Sequence, residues 1–117
     1  MPDLHPNLKL WIYAETREGV FGDGKLRLLE AIETQGSLSQ AAAALKISYR
    51  KAWGDLRKAE TCLGIRLIEK TRGGPGGGQT TVTPQGKALI RQYTKFQAVM
   101  RDHLATACQQ FLGDFLT

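Results

Sequence analysis

The sequence predicts a mainly α-helical fold with a small β component, and two stretches carry that prediction. Residues 37 to 64, SLSQAAAALKISYRKAWGDLRKAETCLG, read as two short helices joined by a tight turn. Residues 65 to 83 follow as two β-prone runs either side of the glycine-rich tip TRGGPGGGQ, so a hairpin trails the second helix. A helix-turn-helix followed by such a hairpin is a winged helix-turn-helix. It occupies residues 1 to 83, with a strand or hairpin at its N-terminus, and residues 84 to 117 form one long helix. A chain of 117 residues with 42% hydrophobic content suits a single core.

In chain order, Leu8 to Ala14 (LKLWIYA) alternates Leu8, Leu10, Ile12 and Ala14 against Lys9, Trp11 and Tyr13 and reads as a strand. Val20 and Phe21 after the polar ETRE suggest a second, and Gly22-Asp23-Gly24 breaks it off. Lys25 to Gln35 places Leu26, Leu29 and Ile32 on one helical face, and Gly36 suits its C-terminal cap. Ser37 can cap the next helix, with Gln40 completing a capping box. The alanines from Ala41 to Ala44 let a neighbouring helix approach closely. Lys46-Ile47 makes the turn, Ser48 caps the second helix, and Ala52, Trp53, Leu56, Ala59 and Leu63 form its apolar face up to Gly64. The other face carries Arg50, Lys51, Gly54, Arg57 and Lys58.

The charge is concentrated there. Residues 46 to 72 hold eight basic and three acidic side chains, which accounts for the whole formal charge of +5; the rest of the chain is balanced. Such a face suits a polyanion, and a helix of this size fits the major groove of B-DNA with its N-terminal residues nearest the base edges. The bland alternative is a solvated basic surface helix. Double-stranded DNA is the expected partner. The expected contacts are Ser37, Ser39 and Gln40 on the first helix, and Ser48, Tyr49, Arg50, Lys51 and Arg57 on the second. Arg72, Gly73, Gly74, Gly76, Gly77 and Gly78 add the wing tip, whose unshielded N–H groups can approach phosphate. A P-loop would need Lys-Ser/Thr after the glycines, where Gln79-Thr80 stands; a plain flexible linker is the other competing reading.

Thr83-Pro84 starts the long helix, a capping hydroxyl followed by proline at the first helical position. Leu89, Tyr93, Phe96, Met100, Leu104, Ala107, Phe111 and Phe115 recur at three- or four-residue steps. That stripe is longer than a small domain can cover, which points to a homodimer through Leu89, Tyr93, Phe96, Met100, Leu104 and Phe111. A bend near Thr106-Ala107 that folds the stripe back on its own chain is the alternative.

These residues resemble a known family. GKLRLLEAIETQGSLSQAAAALKISYRKAWGDLRKAE, LGIRLIEKTRGGPGGGQ and TPQGKALI look like the N-terminal DNA-binding domain of the ModE-type molybdate-responsive regulators, itself similar to the LysR-type winged helix. The resemblance runs from about Gly24 to Tyr93. It implies that Ser48 to Arg57 enter the groove, that the glycine hairpin is the wing, and that the helix after Pro84 dimerises. Lys46 departs from the pattern, standing where such turns often have Gly. The resembling regulators also carry a C-terminal molybdate-binding domain, and the sequence stops at Thr117, so direct binding of molybdate is not expected.

Cys62 and Cys108 show no disulfide or metal spacing, and no Cys or carboxylate cluster surrounds His5 or His103. No enzyme activity, metal or cofactor is expected. No signal sequence or membrane-spanning run is evident, and a cytoplasmic location follows. The reading is a sequence-specific transcriptional regulator. Its rival is a winged-helix protein-interaction module, or a DNA-binding subunit relying on a separate effector protein.

Overall fold

The computed structural model describes residues 3–71 and 78–116. Strand β1 (Trp11–Tyr13) pairs antiparallel with β2 (Gly19–Gly22), and helices α1 (Asp23–Gln35), α2 (Leu38–Ala44) and α3 (Tyr49–Leu63) follow. The wing hairpin pairs β3 (Ile68–Thr71) with β4 (Gln79–Val82), and α4 (Pro84–Leu116) closes the chain as one unbroken helix. No bend at Thr106-Ala107 interrupts it.

The three helices enclose a core of Phe21, Leu28, Leu29, Ile32, Leu38, Leu56 and Leu67, each essentially without solvent contact. Ala41, Ala42, Ala52 and Ala59 are buried with them, so α2 and α3 meet through small side chains, as the alanine run predicts. Gly36 and Gly64 end α1 and α3 at φ of 81° and 70°, and each donates its N–H back to the last turn. The αL conformation these caps need explains the glycines. Ser37 and Ser48 cap α2 and α3 by accepting from the N–H of Gln40 and Lys51 at 3.1 and 3.0 Å.

Four expectations are corrected. The N-terminal strand covers three residues rather than seven. Its partner β2 turns into α1 at Asp23, and a bulge between Ile12 and Tyr13 breaks the alternation, leaving Leu10 and Ala14 against the core but Ile12 exposed. Second, Gly22-Asp23-Gly24 does not separate β2 from α1, because Asp23 is already helical; its N–H donates to the Leu10 carbonyl at 3.2 Å. Third, Trp53 and Leu63 leave the apolar face of α3. The core line runs Ala52, Leu56, Ala59, and Trp53 sits about 100° around the helix from Ala52, where it stays 42% exposed.

The fourth concerns Tyr93, expected in a seam between two copies. It is only 3% exposed within its own chain, packed edge-on to Phe21 with ring centres 5.1 Å apart. Its hydroxyl lies 3.0 Å from the Leu10 carbonyl oxygen and 3.2 Å from the Asp23 carboxylate, which also accepts from the Gln97 amide at 2.7 Å. Burial would raise the Asp23 pKa, but bonds from Gln97, the Leu10 N–H and Tyr93, with Arg101 nearby, outweigh it and hold the carboxyl below its ordinary value. The same environment, burial first and the Asp23 charge second, pushes Tyr93 up to about 12. Leu89 also packs against the core, so the first turns of α4 belong to the winged body rather than to a separate unit.

Candidate nucleic-acid interface

The wing is fastened to the helix-turn-helix at both of its strands. On β4, the Thr80 N–H donates to the Gly36 carbonyl at 3.0 Å, and its hydroxyl accepts from the Leu38 N–H at 3.2 Å. On the β3 side, the buried Glu60 carboxylate of α3 accepts from the N–H groups of Leu67 and Ile68 at 2.8 and 3.3 Å. Thr83 completes the base of the hairpin. Its hydroxyl donates to the Arg66 carbonyl at 2.5 Å and accepts from the Gly86 N–H at 2.9 Å, capping α4. Gly86 is required there, since a Cβ would come within 2.6 Å of the Leu67 carbonyl oxygen and 2.7 Å of a Val82 methyl.

These ties shape a cleft of about 640 Å³ between the start of α2, the start of α3 and the wing. Ser37, Ser39, Gln40, Tyr49 and Gly78, all expected at the site, line it together. Lys70 joins them from β3. Its ammonium hydrogen-bonds the Tyr49 hydroxyl, so the wing strand meets the first aromatic side chain of α3. Gln40 meets Ser37 through its backbone N–H, and the reciprocal half of the capping box is not formed among the described residues.

Beyond the cleft, Arg50 is exposed on the outer surface of α3. Arg57, one turn or more further on, stacks over Trp53 at 5.2 Å from the ring centre and lies 3.9 Å from Glu60. Lys51 is not part of this cleft. It pairs with Asp55 at 3.1 Å and lines a second groove, of about 630 Å³, between α3, α1 and the N-terminal hairpin. Ser48 serves as the α3 cap. Arg72, Gly73, Gly74, Gly76 and Gly77 lie outside the described residues.

The turn between α2 and α3 is tight because Lys46 adopts φ of 60° and donates its N–H to Ala43 at 3.1 Å, while Ile47 donates to Ala42 at 3.0 Å. This is the left-handed conformation that glycine usually supplies, here taken by an exposed cation at the rim of α3.

Sequence reasoning missed three residues. Glu60 reads as one more charge on a basic helix, although its i+4 offset from the buried Leu56 was a signal that it faces inward. Lys70 and Thr80 were visible only as part of a β-prone run; their roles depend on where the hairpin docks.

Two helices across a tight turn, a third behind them and a hairpin clamped to the second define a winged helix-turn-helix. The description "Bacterial regulatory helix-turn-helix protein, lysR family" matches residues 24–87, more than half of the chain, and the chain belongs to that family. It is a family of transcriptional regulators rather than enzymes. Among relatives, the chain is 33% identical to the transcriptional regulator ModE of Haemophilus influenzae over 74% of its own length and 34% of that protein's. It is 35% identical to the DNA-binding transcriptional dual regulator ModE of Escherichia coli K12, over 66% and 30% respectively. The chain thus spans about a third of the length of these relatives. The fold is that of the CbnR DNA-binding domain solved as a DNA complex: TM-score 0.55, 22% identity, covering 73% of this chain and 95% of that one.

Proposed function

We propose that this chain binds duplex DNA sequence-specifically as a homodimer and acts as a transcriptional regulator. The observation that carries the proposal is the cleft between α2, α3 and the wing, set beside the exposed cationic surface of α3. Its lining is polar, and Lys70 and Tyr49, hydrogen-bonded to each other, stand in it beside Ser37, Ser39 and Gln40. Arg50, exposed near the start of α3, reads base edges in the major groove. Tyr49, Ser37, Ser39 and Gln40 contact the neighbouring phosphates and bases, while Arg57 and the wing residues 72 to 78 hold the backbone. The CbnR domain bound to DNA and the DNA-binding ModE of Escherichia coli support the reading.

Support for a dimer comes from α4. Its 33 residues give it a length of about 50 Å, and the molecule extends 61 Å along its longest axis. Phe96, Val99, Phe111, Leu112 and Phe115 are 42% to 81% exposed along the helix, and Met100 and Leu104 lie half-buried among them. A second copy covering this row gives a two-fold assembly, so the DNA sites are inverted repeats with half-sites about one helical turn, or a small multiple of it, apart.

The test is to select duplexes from a random-sequence pool with the purified chain, footprint the winners and determine the oligomeric state by sedimentation. A dimer protecting an inverted repeat, with Arg50→Ala weakening it by about 1 to 3 kcal/mol and Phe111→Glu yielding a weakly binding monomer, is the expected outcome. A folded chain that enriches no sequence rejects it.

A further inference from the structure

Gly54 is the sixth residue of the fifteen in α3, well away from either end. Glycine is the least favourable helix-interior residue after proline, because it has the most backbone freedom to lose. Of the other glycines, Gly36 and Gly64 adopt positive φ and Gly86 is crowded by backbone and side chain, while Gly19 and Gly24, which also leave a Cβ unopposed, stand at the start of β2 and in the first turn of α1 rather than inside a helix. Nothing comparable applies at Gly54. A Cβ built there meets no atom within 4 Å, and the residue is exposed. Alanine would fit and would favour the helix, so no contact within the chain accounts for the glycine.

The position suggests what does. On the 3.6-residue repeat, Gly54 lies roughly 160° around α3 from Ala52 and Leu56, at the middle of the outward surface. Arg50 stands one turn before it on the same side, Arg57 and Lys58 one turn after, all exposed. We infer, resting on the DNA-binding reading above, that Gly54 is a specificity-determining position where base edges on the floor of the major groove pack against the bare Cα of α3. Without a side chain there, the helix axis sits deeper in the groove, and Arg50 reaches the bases while Arg57 and Lys58 reach the flanking phosphates. A methyl group on this surface lifts the helix away from base pairs whose edges project furthest, and it does so without disturbing the fold.

The experiment uses the full chain and its Gly54→Ala, Gly54→Gln and Arg50→Ala variants. Each is measured against a duplex selected by the wild-type chain from a random-sequence pool and against a scrambled duplex of the same composition. The expected result pairs a gain with a loss. Gly54→Ala melts a few degrees higher than wild type, yet binds the selected duplex at least about ten-fold more weakly, Gly54→Gln more weakly still, and scrambled-duplex affinity stays within about two-fold. Unchanged or tighter binding of the selected duplex by Gly54→Ala overturns the inference, as does an equal loss on both duplexes. The Arg50→Ala variant separates the two levels. If it loses selected-site binding while Gly54→Ala does not, this inference alone fails; if neither variant changes binding, the proposed reading helix fails with it.

Discussion

Removing the Glu60 carboxylate should loosen the wing from α3 at a cost that the structure allows to be estimated. Glu60 is 8% exposed, and one of its oxygens accepts from the buried N–H groups of Leu67 and Ile68 at 2.8 and 3.3 Å. A buried donor stranded by loss of its partner costs about 1 to 3 kcal/mol, towards the upper end where the acceptor was charged. One bond is short and the other long, so Glu60→Ala should lose about 2 to 4 kcal/mol. Glu60→Gln keeps a carbonyl oxygen within reach and should lose about half of that. The contacts to Arg57 and Arg66, at 3.9 and 3.8 Å with both arginines largely in solvent, add little. Urea denaturation at a fixed chain concentration, followed by circular dichroism, measures the difference; the concentration must match because a dimer's stability depends on it. A Glu60→Ala variant within about 0.5 kcal/mol of wild type would refute the assignment of Glu60 as the tie between α3 and β3.

Gly86→Ala should destabilise by about 2 to 3 kcal/mol, because its Cβ would meet the Leu67 carbonyl oxygen and a Val82 methyl; the same urea titration checks it, and a neutral result would mean the base of the wing is loosely packed. Asp23 supplies a pH dependence. Its folded-state pKa lies below the ordinary 3.8, so the folded chain binds fewer protons in acid, and the contribution is fully present above about pH 5 and lost as pH falls through the folded-state value. The stability gap between wild type and Asp23→Asn should therefore be widest near neutrality and narrow towards pH 3, and a gap that does not vary with pH would show that the Gln97 and Tyr93 bonds do not favour the carboxylate.

Much of the architecture was legible because it depends on local chemistry. Ser37, Ser48, Gly36 and Gly64 mark their helix ends through side-chain caps and αL backbone, and these signals are read from a few neighbouring residues. Lys46 was recognisable as a departure, and its φ of 60° shows the turn adopting the glycine conformation regardless. What could not be read depends on contacts distant in sequence. Tyr93 has the spacing of a surface stripe, but its hydroxyl is claimed by Leu10 and Asp23 more than 60 residues away, which pulls the start of α4 into the body. The opposite happened to Trp53, an aromatic that composition assigns to the core and that 100° of helical rotation leaves in solvent beside Arg57. Within the cleft, Ser37, Ser39, Gln40 and Tyr49 were expected together from their places on the two helices, whereas Lys70 and Thr80 join them only when the hairpin docks against α2 and α3.

The central claim is that the basic surface around α3 and the wing engages the phosphates of duplex DNA. Its most direct measurement is the affinity of the purified chain for a fluorescent duplex, titrated over a range of salt concentrations. Each neutralised phosphate releases counterions, so log affinity should fall linearly with log salt at a slope of roughly −4 to −6 per chain, and Arg57→Ala should reduce that slope by about one. A slope near zero, or one that Arg57→Ala leaves unchanged along with affinity, would contradict the account.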